Sequence, residues 1–163
     1  MKKFLLVALC VLAPVVAHGK SLNGGDVTDK EITCLAKNIY MEARGESLAG
    51  QIAVGLVTLN RVYDKRFPNT ICGVVFQAKK DKKGNPIRHK CQFSWYCDGK
   101  SDKIYNWKQF ARCKEIAMRV VAGMYSGMVE GATYYHATYV KPNWALEYRQ
   151  VTQIDDHIFY YRD

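Results

Sequence analysis

The sequence predicts an α+β domain, mostly helical, with a small antiparallel β-sheet toward the C-terminus. Three observations carry this reading. Apolar residues recur at helical spacing in long segments between Thr28 and Met124. A residue able to cap a helix stands before each segment. From Thr133 onward the pattern changes to short runs rich in Tyr and β-branched residues, which favour strands.

The first helix is announced by Thr28 with Glu31 three residues on, the pattern of a capping box. Ile32, Leu35, Ala36, Ile39 and Ala43 then share one face, and Gly45 is placed to end the helix. Ser47 can cap the next segment, Leu48 to Val62. Its apolar residues Ile52, Ala53, Val54, Leu56, Val57 and Leu59 point nearly all round, so this helix is expected at the buried centre. Phe67-Pro68-Asn69 turns the chain, and Asn69 or Thr70 starts a short helix ending near Gln77. Residues 78–90, rich in Lys, read as a solvated, mobile loop, and an aromatic loop, Gln92 to Tyr96, follows. Ser101 or Asp102 precedes another long helix, with Trp107, Phe110, Ala117, Val120 and Val121 repeating and Trp107 expected in the core. Strands are expected at Thr133 to Ala137, Val151 to Ile154 and Ile158 to Tyr161. No internal repeat appears, and 163 residues suit one core rather than two.

The N-terminus reads differently. Lys2 and Lys3 precede an apolar run, Phe4 to Ala17, that ends in Val15-x-Ala17. This is the pattern of a secretory signal peptide, residues 1–17, followed by a polar leader at 18–27 and a domain at 28–163. The run is short for a membrane span, so export to the periplasm or the exterior is expected, with an uncleaved membrane tether as the alternative. The formal charge is +9, and +7 without Lys2 and Lys3. A basic exported protein suits anionic wall polymers better than nucleic acid, for which no motif is present. Beyond Cys10 there are five Cys: 34, 72, 91, 97 and 113. Export permits disulfides, and an odd count leaves one thiol over. His89-x-Cys91 with Cys97 lacks the paired ligand clusters of a structural zinc site, so no metal or other cofactor is expected.

The segment Tyr40-Met41-Glu42-Ala43-Arg44-Gly45-Glu46 is the candidate for chemistry. At roughly 100° per residue, Glu42 falls at the margin of the apolar stripe. It also lies in the last turn, beside the negative end of the helix dipole. Partial burial and the dipole both raise a carboxyl pKa, as a general acid requires. A surface Glu42 paired with Arg44 or a lysine fits the same spacing. Glu46 fits either the partner of a two-carboxylate glycosidase or an acid at the start of the next helix.

Ordered motifs extend well beyond this segment. They are Cys34 through Glu46, Gly50-Gln-Ile-Ala-Val54, Leu59-Asn-Arg-Val62, Phe67 through Val75, Gln92-Phe-Ser-Trp95, Cys97-Asp-Gly99, Gly131 through Ala137, Pro142-Asn-Trp144 and His157-Ile-Phe-Tyr160. Together they resemble the SleB/CwlJ cell wall hydrolase family over nearly all of the chain after the leader. The resemblance implies a lysozyme-like fold acting on peptidoglycan glycan strands, and a monomer is expected. It implies that Glu42 is the acid protonating the bond between N-acetylmuramic acid and N-acetylglucosamine. Glu46 has at most a supporting role. Capture by the sugar's own 6-hydroxyl would make a lytic transglycosylase, and capture by water a muramidase. Phe93, Ser94 and Trp95 are expected to line the sugar groove, with Tyr135 and His136 orienting substrate or acid, and Trp144 in groove or core. His157, Asn60 and Arg61 are expected to be structural. Met41 departs from the family's usual Gly before the acid. The Lys-rich stretch looks longer than the usual connection, which suits a tolerated insertion or a grip on wall polymers. A zinc-dependent N-acetylmuramoyl-L-alanine amidase would need a His-rich ligand set that the four His do not form. A non-catalytic wall-binding module would not need a poised acid.

Overall fold

The structure, a computed structural model, describes residues 27–163. The signal peptide expected at 1–17 lies outside the described residues, as does the leader up to residue 26. Four helices come first: α1 (Asp29–Ala43), α2 (Leu48–Tyr63), α3 (Ile71–Val75) and, after a hairpin, α4 (Trp107–Val121). The hairpin pairs β1 (Ala78–Lys80) with β2 (Pro86–Cys91). A three-stranded antiparallel sheet follows, built from β3 (Tyr134–Ala137), β4 (Arg149–Ile154) and β5 (His157–Tyr161) in the order β3-β5-β4. No helix among the described residues is long and apolar enough to cross a membrane.

The caps read from sequence are in use. Thr28 accepts from Glu31 N, Ser47 from Gly50 N and Thr70 from Gly73 N. Only half of the expected capping box forms. The Glu31 carboxylate instead accepts from Cys72 N at 3.0 Å, so it caps α3 rather than its own helix. α4 begins later than expected, because Asn106 caps it by accepting from Gln109 N at 3.0 Å. Trp107 therefore occupies the first turn of α4 and is 69% exposed, not core. Its indole only meets Phe110 edge-on.

α1 and α2 share the burial. α2 is buried nearly all round, as its composition requires, while α1 packs against each of the other helices. Gly55 lies where α1, α2 and α4 meet. A Cβ there would come within 3.2 Å of Ile39 and 3.3 Å of Val120. Inside this core sits a polar chain. Asn38, fully buried, donates to Thr58 Oγ1 at 3.1 Å and accepts from Trp95 Nε1 at 3.0 Å, while Thr58 donates to Val54 O. Each group is satisfied only by the next. Asn38→Ala is expected to lower unfolding free energy by about 3 kcal/mol in urea titration, because it strands the indole N–H and removes the bond that Thr58 Oγ1 accepts, while Thr58 keeps its own bond to Val54 O. A loss under about 1 kcal/mol would mean that the chain is dispensable.

The stretch 78–90 is a built hairpin rather than a mobile loop. Ala78 pairs with Cys91 and Lys80 with Pro86. Asp81 closes the turn, its carboxylate accepting from Lys83 N at 2.8 Å and Asn85 N at 2.9 Å. Gly84, at φ +84°, supplies the left-handed residue that this turn needs. Two disulfides pin the helical half, Cys34–Cys72 between α1 and α3 and Cys91–Cys97 at the foot of the hairpin. Cys113 is the thiol left over.

Candidate active site

A groove of about 740 Å³ runs between the end of α1, the turn after β2 and the three-stranded sheet. Glu42, from the last turn of α1, is part of its wall. Burial pushes the Glu42 carboxyl above its ordinary value. A hydrogen bond from Tyr135 and the nearby Arg61 charge oppose that rise without cancelling it. The burial half of the expectation from sequence holds.

β3 places Tyr135 against this carboxyl. The strand alternation turns Tyr135 toward His157 and Phe159, while His136 faces Tyr160 and Trp144. The Tyr135 hydroxyl donates to Glu42 Oε2 at 2.8 Å. Burial holds the phenol well above its ordinary pKa, and the Glu42 charge adds to this, so it remains a donor. His136 Nδ1 lies 2.9 Å from Ala137 O, an oxygen that only accepts, so Nδ1 carries the proton. Nε2 lies 3.0 Å from the Tyr160 hydroxyl. With its ring stacked on Tyr160, His136 is fixed in one orientation.

Arg61 stands beside this pair, and the sequence alone had placed it as structural. It is 3% exposed, on the last turn of α2. Nε donates to Thr133 O at 2.7 Å, and the guanidinium lies 4.9 Å from the Phe93 ring and 5.4 Å from that of Phe67. Nη1 has no hydrogen-bond partner among the described residues. Arg61 lines the groove and acts electrostatically on both Glu42 and Tyr135. The signal in the sequence was an arginine on a helix otherwise apolar all round, since a guanidinium is buried only where something uses its charge.

The other expected residues divide. Ser94, exposed, and Trp144, half-buried and ringed by Tyr134, His136, Tyr148 and Tyr160, line the groove. Phe93 and Trp95 also border it, but at 2% and 6% exposed they work from beneath. Phe93 carries Arg61, and the Trp95 indole is tied to Asn38. Their rings are packed inside, so they support the groove from below and offer no free face to a sugar. Tyr139, 85% exposed at the groove edge, offers a free ring that the sequence did not single out. Glu46 does not line the groove. Its carboxylate accepts from Asp156 N at 3.4 Å, and the neighbouring Asp155 accepts from Ser47 N at 2.9 Å. The β4–β5 turn is thereby latched onto the start of α2. His157, buried and with its Nδ1 unpartnered among the described residues, borders the groove, and burial lowers its pKa. Among the described residues no cluster of His, Cys, Asp and Glu could hold a metal ion, and Cys91 and Cys97 are joined to each other.

A family model described as Cell Wall Hydrolase matches residues 45–160. The match begins just beyond Glu42. The spore cortex-lytic enzyme of Halalkalibacterium halodurans is 33% identical over 135 residues, covering 81% of this chain and 35% of that protein. The spore cortex-lytic enzyme of Bacillus subtilis is 29% identical over 135 residues, covering 83% and 39%. The chain thus spans well under half the length of these curated relatives. Among solved structures, the catalytic domain of the Bacillus cereus SleB protein superposes with a TM-score of 0.64 at 28% identity, covering 88% of this chain and 99% of that one. The catalytic domain of the germination-specific lytic transglycosylase SleB from Bacillus anthracis gives a TM-score of 0.63 at 29% identity, covering 83% and 97%. The mostly helical α+β architecture expected from sequence is the one these two domains share.

Proposed function

The chain belongs to the cell wall hydrolase family, and from that premise we propose that it is an exported enzyme cleaving peptidoglycan glycan strands, with Glu42 as the acid. One observation carries the assignment of the acid. Glu42 is a groove-lining carboxyl whose proton affinity is raised by burial and whose orientation is fixed by Tyr135. Tyr135 occupies Oε2, which leaves the other carboxyl oxygen to carry the proton toward the substrate. Glu42 donates that proton to the glycosidic oxygen between N-acetylmuramic acid and N-acetylglucosamine, and the bond breaks to leave an oxocarbenium-like centre. The carboxylate formed is stabilised by the Tyr135 hydroxyl and the Arg61 charge.

The second half of the reaction follows from what surrounds Glu42. Among the described residues no carboxylate belongs to the groups that set its proton affinity, although Asp98 and Asp102 line the same groove, and Glu46 is engaged with the β4–β5 turn. This supports capture of the cationic carbon by the sugar's own 6-hydroxyl. Its proton returns to Glu42, giving a 1,6-anhydro end. The reaction is then lytic transglycosylation. Mass spectrometry of digested sacculi tests it: anhydro-ended muropeptides are expected, and reducing ends alone would overturn it in favour of a muramidase.

Tyr135→Phe separates positioning from proton donation. Loss of the hydroxyl removes a group that lowers the Glu42 pKa. The alkaline limb of the pH–rate profile, where Glu42 loses its proton, is expected to move to higher pH. The maximal rate is expected to fall about 10-fold as the carboxyl loses its orienting bond. An unmoved limb would remove Tyr135 from the mechanism.

A further inference from the structure

We propose that the β1–β2 hairpin is a cationic arm that holds the carboxylates of the peptides attached to the glycan strand in the groove. The proposal rests on the groove's being the glycan site and adds to it a second, electrostatic contact.

Residues 78–91 contain six cations, Lys79, Lys80, Lys82, Lys83, Arg88 and Lys90, and one acid, Asp81. More than half of the chain's formal +9 is therefore concentrated here. Among the described residues, none of the six makes an ion pair. Asp81, the local acid, is spent on the turn's own backbone N–H groups. The charges are thus unneutralised and presented on an ordered support, the paired strands and closed turn. A mobile tail would lose more conformational entropy on binding.

The position of the arm chooses its partner. Gln92, Phe93, Ser94 and Trp95, which follow β2 directly, line the groove. Cys91 is bonded to Cys97 at the end of that turn. The Arg88 guanidinium lies over Gly99, where a Cβ would meet its Cζ at 3.4 Å. The residues on either side of Gly99, Asp98 and Lys100, are groove-lining. The hairpin therefore rises from the groove's rim, and a six-residue strand carries its charges roughly 20 Å along. Anionic groups on the bound strand itself reach that surface without a second polymer. In peptidoglycan those groups are the carboxylates of the peptide stems. Phosphodiester polymers of the wall would offer the same charge from another source.

The test measures binding to purified sacculi with Glu42→Gln protein, which requires no cleavage. Lys79, Lys80, Lys82 and Lys83, all exposed, are changed to Gln together, and an unchanged thermal midpoint verifies the fold. Three substrates are used: intact sacculi, sacculi freed of phosphodiester polymers by hydrofluoric acid, and acid-treated sacculi whose peptide carboxylates are capped as neutral methylamides by carbodiimide coupling. On the first two, the quadruple variant is expected to bind about 10-fold more weakly at low salt and to lose most of its salt dependence. On the carboxyl-capped sacculi the two proteins are expected to bind alike. Equal binding to intact sacculi overturns the proposal. So does a difference that vanishes with the phosphodiester polymers, or one that persists on the carboxyl-capped sacculi. Failure of the parent chain to release muropeptides would instead overturn the proposed reaction, and the binding comparison would be unaffected.

Discussion

Glu42→Gln is expected to reduce release of muropeptides from sacculi by about 1,000-fold while leaving sacculus binding and the fold intact. The substitution is nearly isosteric. The Gln carbonyl can still accept from the Tyr135 hydroxyl, which in the parent lies 2.8 Å from Oε2. What is lost is the proton that the leaving oxygen needs. The pH dependence has a definite sign. Burial raises the Glu42 pKa, so the acid form persists to higher pH than an exposed glutamate would allow. Parent activity should fall on the alkaline side as that proton is lost, and any residual activity of the Gln variant should be flat across the same range. Stability follows the same group. Folded Glu42 holds its proton to higher pH than unfolded Glu42 does. The fold is therefore weakened as pH rises from the unfolded pKa through the folded one, and below both values nothing is lost. The thermal midpoint of the Gln variant should exceed that of the parent at neutral and alkaline pH and converge with it in acid. Full lytic activity in this variant would refute Glu42 as the acid.

The places where sequence and structure part are instructive about the site. Helix starts were legible where the choice of capping residue was narrow, as at Thr28, at Ser47 and between Asn69 and Thr70. Before α4 the chain offers Asp98, Ser101, Asp102 and Asn106 within a few residues, and any of these side chains can cap. Asn106 prevails in a setting where the Tyr40 hydroxyl accepts from its backbone N–H and the Gln109 side chain bonds back to Arg44 O. Both are tertiary contacts invisible to local pattern. The Lys-rich stretch read as a loop because its charge pattern does not alternate, yet β1 and β2 need only backbone pairing and the Asp81 turn. The partial burial of Glu42 was legible from its position on the apolar margin, whereas its choice as the acid over a surface ion pair came from the resemblance of the ordered motifs. Phe93, Trp95 and Arg61 were not legible in this way, because their roles depend on which buried partner each finds: Arg61 for Phe93, Asn38 for Trp95, Thr133 O for Arg61. The groove is therefore built from two kinds of aromatic residue. Phe93 and Trp95 stiffen its floor, while Tyr139 and Trp144 lie nearer to solvent.

Removing the Cys34–Cys72 disulfide is expected to cost about 4 kcal/mol of unfolding free energy, against about 2 kcal/mol for Cys91–Cys97. The difference follows from loop length. The first bond closes a sequence separation of 38 residues and the second only 6, so the first withdraws more freedom from the unfolded chain. The first bond also joins a buried end to a half-buried one. Cys34 is 8% exposed on α1, and Cys72 lies on α3 beside the bond from its own N–H to Glu31. The thiol that remains among the described residues does not threaten this pairing. Cys113 is buried and its pKa is pushed up to about 11, so little thiolate forms to attack either disulfide. The measurement is urea denaturation of Cys34→Ala/Cys72→Ala and Cys91→Ala/Cys97→Ala proteins, each compared with the parent under non-reducing conditions. Because α1 carries Glu42 only two turns beyond Cys34, the first variant should also lose activity at a lower temperature than the second. At low temperature, where α1 remains packed, its turnover should stay close to that of the parent. A larger stability loss for Cys91–Cys97 than for Cys34–Cys72 would overturn the loop-entropy account. It would place the main constraint at the foot of the hairpin instead of between α1 and α3.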